Sequence, residues 1–195
     1  MEIERGGDLA GVLESYVPRS DQEAADLARL RELSSQPEVW ARTAPVHATG
    51  SALIVHPPSG RVLLRWHARM QAWLQVGGHA DPGETSPLAI ALREAHEETG
   101  LSDLQSWPNP RQPSVIQIVI VPVPAGRGEP AHHHADVRYL LSTDRPEDAT
   151  PESPGARLRW LPLHEAIAEV GGDNLRICLQ RIAELQQTRS RSASS

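Results

Sequence analysis

Residues 77–101 read GGHADPGETSPLAIALREAHEETGL, and the fold follows from this stretch. Ser86 followed by Pro87 is a strong helix start, with Ser as N-cap and Pro at the first helical position. Beyond it Leu88, Ala91, Leu92, Ala95 and Thr99 recur on one face, at roughly 100° per residue. Gly100 ends the run. The pattern predicts a helix over Pro87–Thr99 whose apolar face packs on a sheet. Glu94, Glu97 and Glu98 stand at i, i+3 and i+4, so their carboxylates gather on a neighbouring stripe. Arg93 lies one turn before Glu97, where it can orient that carboxylate.

Clustered carboxylates repel one another by about a few tenths of a kcal/mol per exposed pair. Taken alone, such a stripe is an ordinary solvated helix face. A hard divalent cation gives it another use. Mg²⁺ prefers oxygen ligands and is commonly shared between carboxylates and substrate phosphates. Held there, it activates water and neutralises phosphoryl charge. The Gly77-Gly78 turn lets the backbone approach such a site and lend a carbonyl.

Strands flank the helix. Ser51–His56 and Arg61–Trp66 read as a hairpin around the turn Pro57–Gly60, and Trp73–Val76 as a short strand running into Gly77. Ser114–Val121 is the most β-branched run of the chain. Asp136–Leu141 and Arg157–Trp160 follow as strands, Asp144–Gly155 as an acidic, Pro-rich loop, and Pro162–Val170 and Asn174–Gln187 as closing helices. Before the domain, Leu27, Leu30 and Leu33 mark a helix near Asp21–Leu33, capped by Ser20. The expected organisation is a helical extension over 1–45, an α/β domain with a mixed sheet over 46–187, and a disordered polar tail over 188–195.

Composition narrows the chemistry. The 195 residues carry a net charge of −6, so the phosphate backbone of a nucleic acid is not an expected partner. All basic residues are Arg; without Lys there is no Schiff-base lysine and no P-loop lysine, which excludes pyridoxal phosphate enzymes and Walker-type NTPases. Cys178 is the single cysteine, and at helical spacing from Leu175 and Ile182 it reads as core, not nucleophile. The amino-terminal segment lacks an apolar signal core, and no run is long enough for a membrane span, so the expectation is a cytoplasmic protein.

Gly78, five residues, Glu84, and then Arg93-Glu94-Ala-His-Glu97-Glu98-Thr-Gly100-Leu101 resemble the signature box of the Nudix hydrolases. The strand WLQVGGH before it, the strands after it, and RLRW with a closing helix extend the resemblance over about Val46 to Gln187. Two departures stand out. Val76 occupies a position where many members carry Pro. The usual box has seven residues between its first Glu and the Arg, whereas Thr85 to Leu92 make eight here. An extra residue inside the helix would rotate one half against the other. It is therefore expected in the Thr85-Ser86-Pro87 loop, displacing only Glu84.

The resemblance implies a Nudix-like α/β/α sandwich with a mixed sheet. It also implies hydrolysis of the diphosphate linkage of a nucleoside diphosphate derivative by water attack on phosphorus, with Mg²⁺ or Mn²⁺. Carried over by position, Glu94, Glu97 and Glu98 are metal ligands, joined by the Gly77 carbonyl. Glu97 also handles the attacking water, and Arg93 pairs with Glu84. Some members place the base in a later loop, which leaves Glu147 and Glu152 open.

Residue types suggest a substrate wall. Arg65, His67 and Arg69 suit phosphate, and Trp73 either stacks on a base or packs in the core. His79 abuts the box and reads either as a substrate contact or as a turn residue. His132, His133 and His134 read as a turn that lines the substrate or faces solvent, with a transition-metal site as the other reading; in a strand only His132 and His134 would share a face. The competing function is a Nudix-like module that binds or senses a nucleotide without cleaving it. The intact Glu and Arg set favours the enzyme. A small-molecule substrate is the expected partner, together with a homodimer formed through the extension.

Overall fold

The computed structural model describes residues 8–126 and 128–193. Its centre is Val46–His56 (β1), a strand buried along almost its whole length. Alternation sends Ala48, Ala52 and Ile54 into one core, and Leu53 and Val55 into another on the opposite face. β1 pairs antiparallel with Arg61–His67 (β2) and with Val76–His79 (β4), and parallel with His132–Ser142 (β7). Ala72–Leu74 (β3) and Leu158–Pro162 (β8) add to β2, while Gln105–Ser106 (β5) and Val115–Val123 (β6) add to β7. The described residues thus form one mixed sheet of eight strands.

Helices cover both faces. Leu9–Ser15 (α1), Asp21–Ser34 (α2) and Pro87–Thr99 (α3) pack into the first core, and Leu163–Glu169 (α4) and Asp173–Ala193 (α5) into the second. This is the expected α/β/α layering. Both predicted caps form: the Ser20 hydroxyl accepts the Glu23 N–H at 3.2 Å, and the Ser86 hydroxyl accepts that of Ala89 at 3.3 Å. α3 sits so close to β1 that a Cβ on Gly50 would stand 2.3 Å from the Pro87 carbonyl oxygen.

The extension is fastened to the domain by polar groups. The Tyr16 hydroxyl donates to buried Glu23 at 2.9 Å, and Arg181 of α5 pairs with the other oxygen of that carboxylate. The Ile120 N–H donates to Asp26 at 3.1 Å. Cys178 is buried, with its thiol 3.1 Å from Gln117 Oε1.

Several elements differ from the sequence pattern. α1 and β5 are additional. His132–His134 belong to β7, not to a turn before it, because they continue the pairing of β7 with β1 and β6. α5 runs on to Ala193, where a disordered tail is expected after Gln187; the Thr188 hydroxyl donates to the Glu184 carbonyl at 2.9 Å within the added turns. Positions 194–195 of that expected tail lie outside the described residues. Among the described residues no helix is long and apolar enough to cross a membrane.

Candidate active site

The helix α3 carries Arg93, Glu94, Glu97 and Glu98, and the strand β4 faces it. The approach is tight: a Cβ on Gly78 would meet the Glu94 carboxylate at 2.4 Å, so only glycine lets this carboxylate lie flat against the strand.

Arg93 organises the cluster. Its Nε donates to Glu84 Oε1 at 3.1 Å and its Nη2 to Glu84 Oε2 at 2.9 Å, a bidentate fork. Nη1 donates to Glu94 Oε1 and to Glu97 Oε2, both at 3.0 Å. Nη2 also reaches the His79 carbonyl at 2.8 Å. Glu84 thus pairs with Arg93 across the longer spacing. The Asp81–Glu84 segment closes on itself, with the Asp81 N–H on Glu84 Oε2 at 2.8 Å and the Glu84 N–H on the Asp81 carbonyl at 2.9 Å. The loop from Thr85 to the helix start absorbs the additional length, and α3 runs unbroken beneath its three glutamates.

Glu98 is set deepest, only 8% exposed. Its Oε2 accepts the Gly77 N–H at 3.2 Å, and its Oε1 lies 3.4 Å from Arg65 Nε, at ion-pair distance. Burial lifts its pKa to about 7, against the pull of Arg65 and of the Gly77 N–H. Burial likewise raises Glu94, partly offset by Arg93. Glu84 is lowered by the hydrogen bonds from Arg93. Glu97 is the exposed member, with half of its side chain in solvent. Arg65 also bonds Glu152, which draws the later loop to the site. Glu147 lies exposed in the short 3₁₀ turn Pro146–Asp148.

The suggested substrate residues divide. Arg65 reaches the carboxylates. His67 accepts the Met70 N–H at 3.1 Å in the turn after β2. Arg69 bonds the Pro124 carbonyl and lies 3.4 Å from Glu129, on the loop between β6 and β7. Trp73 packs edge-on against Trp66 across β2 and β3, beneath the Arg157 guanidinium. His79 and His134 turn to the face of the sheet opposite α3, beside His47 and His132. Sequence reasoning missed His47, because only the β1–β7 register brings it there. It missed Trp40 and Arg42 as well, which line a shallow pocket with Ala80–Thr85 next to Glu84. The signal for these two was faint, since they stand outside the stretch that resembles the family.

Comparison with known proteins agrees with this fold. A curated relative from Lactococcus lactis subsp. cremoris, named "Probable DHNTP pyrophosphohydrolase", is 28% identical over 152 aligned residues, covering 75% of this chain and 85% of that protein. The solved structure of RenU, a Nudix hydrolase from M. smegmatis, is 26% identical, with a TM-score of 0.51 over 73% of this chain and 86% of its own. The E. coli dihydroneopterin triphosphate pyrophosphohydrolase shares the fold at 18% identity, with a TM-score of 0.53 over 71% of this chain and 94% of its own. Residues 46–180 match the family model of the NUDIX domain. The chain belongs to the Nudix family, as a hydrolase of acid anhydrides.

Proposed function

We propose that this protein hydrolyses the diphosphate linkage of a nucleoside diphosphate derivative, or of a closely related triphosphate, with Mg²⁺ or Mn²⁺ bound. The observation that carries this reading is the gathering of Glu84, Glu94 and Glu97 on one guanidinium beside buried Glu98. The donor set fits a hard cation. It consists of carboxylate oxygens, and burial raises Glu94 and Glu98 in a way that a neighbouring positive ion would reverse. Glu94, Glu97, Glu98 and the Gly77 carbonyl would hold it. When bound, the cation neutralises phosphoryl charge and lowers the pKa of water.

The protein's own groups do the rest. Exposed Glu97 takes the proton as the water oxygen bonds to phosphorus and the bridging P–O bond breaks. Glu84 fixes Arg93, and Arg93 keeps Glu94 and Glu97 in register. Arg65 supports the negative charge around Glu98 and reaches Glu152, the other candidate for the base. Trp40 and Arg42, beside Glu84, suit a ring and a phosphate of the substrate.

The relative named for DHNTP places a pterin triphosphate in the first panel of compounds. Nucleoside triphosphates, ADP-ribose, dinucleoside polyphosphates and nucleotide sugars complete it. With Mg²⁺ or Mn²⁺ the expected result is turnover of at least one member, with products identified by mass, and loss of that turnover in excess EDTA. Binding without cleavage of any member would point to the non-catalytic module instead. Full activity in EDTA would overturn the cation's role.

A further inference from the structure

Four imidazoles meet on the sheet face opposite α3. The strand register puts them there: His47 of β1 pairs with His134 of β7, and His79 of β4 opposes Thr49, two residues along β1 from His47. His132 precedes His134 by two, so alternation sets all four on one face. One ring nitrogen from each can be chosen so that all lie within 4.8 Å of one another. Nε2 of His134 is 3.1 Å from Nε2 of His79 and 3.2 Å from Nε2 of His132.

Hydrogen bonding alone does not satisfy this arrangement. Nδ1 of His47 lies 2.9 Å from the Ala44 carbonyl, and Nδ1 of His132 lies 2.9 Å from that of Pro130. A carbonyl only accepts, so both Nδ1 atoms carry a proton, and the uncharged form of each ring turns an Nε2 lone pair inward. The buried Nε2 of His47 has no hydrogen-bond partner. Nε2 of His134 carries at most one proton yet stands between two nitrogens.

We infer that His47, His79, His132 and His134 form a second metal site, which takes one divalent transition-metal ion of the zinc type in a tetrahedral four-nitrogen shell. Zn–N bonds of about 2.0–2.1 Å place tetrahedral nitrogens roughly 3.3–3.4 Å apart, close to the spacing of these Nε2 atoms. The carbonyls on Nδ1 of His47 and His132 are the outer partners that metal-bound imidazoles characteristically carry. Neutral nitrogen donors favour zinc, nickel or cobalt over Mg²⁺, so this site and the carboxylate site select different ions. A shell closed by four protein ligands suits a structural role: the ion ties β1, β4 and β7 together. Because the His79 carbonyl holds Arg93, the tie also steadies the carboxylate site.

The test uses the full chain, stripped with EDTA and then freed of it, in a Glu98→Gln background that cripples the carboxylate site. Zinc titration by calorimetry should show one ion per chain. Cobalt should give the intense visible bands of a four-coordinate centre. Saturating zinc should raise Tm by roughly 5–10 °C. His79→Gln combined with His134→Gln, both at half-buried positions, should weaken zinc binding roughly a hundredfold or more and abolish the cobalt bands. If that double variant does not fold, the cobalt spectrum and zinc stoichiometry of the Glu98→Gln protein decide. Absence of zinc binding, a weak six-coordinate cobalt spectrum, or unchanged affinity in a folded double variant would overturn the site.

Discussion

Glu98 and Glu84 are both carboxylates within reach of a guanidinium, yet their surroundings oppose each other. Glu98 is buried and raised, while Glu84 is lowered by the fork from Arg93. A buried carboxylate that resists ionisation is unfavourable unless a cation sits on it, so in the proposed function Glu98→Gln removes charge where the reaction needs it. The expected loss of kcat is roughly a hundredfold or more. Glu97→Gln should cost a comparable factor if Glu97 accepts the proton of the water. Glu84→Gln keeps one oxygen for Arg93 and loosens an orienting contact, so roughly a tenfold loss is expected, as for partners that act through another residue. Rate constants at saturating Mg²⁺ check the order, once each variant is shown to fold. If Glu84→Gln proves the worst and Glu97→Gln is near normal, the assignment of roles along α3 is wrong. Glu97 and Glu98 were legible in the sequence because they share a helix of known pitch, where spacing alone places the side chains; Glu84, in the loop before it, was read only from the resemblance.

In the proposed function α3 carries the chemistry as a unit, so its distance from β1 matters as much as its residues. Gly50 sets that distance. A methyl there would stand 2.3 Å from the Pro87 carbonyl and 3.0 Å from the Ala91 nitrogen, both backbone atoms, and so the helix itself must move. Gly50→Ala should destabilise by about 1–3 kcal/mol. Because α3 holds the glutamates, displacement by about 1 Å should also cost up to about a hundredfold in kcat. Ser86→Ala is the control. It removes the N-cap at about 1 kcal/mol without pushing on the helix, so stability should fall while kcat in the folded protein changes little. Denaturation midpoints and rates measured on both variants separate the effects; equal losses of kcat would show that Gly50 does not act by position. α3 itself was readable from its cap and apolar period, but this contact was not, since Gly50 is nearly forty residues upstream in a strand. The same holds for β7. Its apolar core at Asp136–Leu141 was plain, whereas the three histidines ahead of it carry no β signature and are drawn into the strand by pairing with β1 and β6.

At the scale of the molecule, the sequence shows an amphipathic helix ahead of the domain but not what it docks on. That answer rests on contacts such as Glu23 with Arg181, far apart in the chain and invisible to any local pattern. Both groups are buried, which makes the pair the latch between α2 and α5. Burial acts to raise the Glu23 pKa, but the Arg19 N–H, Arg181 and the Tyr16 hydroxyl together outweigh it and hold the carboxyl below its ordinary value of 4.5. As pH falls, the unfolded chain therefore takes up this proton first. The stability that the ionised carboxylate contributes is complete above pH 4.5 and is lost as pH drops through the lower folded value. Glu23→Gln leaves the buried guanidinium of Arg181 without its counter-charge and should destabilise by up to about 3–5 kcal/mol at neutral pH. The gap between wild type and variant should stay level from pH 7 down to roughly 5 and narrow below that, because acid removes from the wild type the charge the variant already lacks. Urea unfolding across this range measures it. A gap that is constant, or that widens in acid, would mean that the carboxylate is not ionised in the folded protein and that the Glu23–Arg181 pair is not what holds the extension.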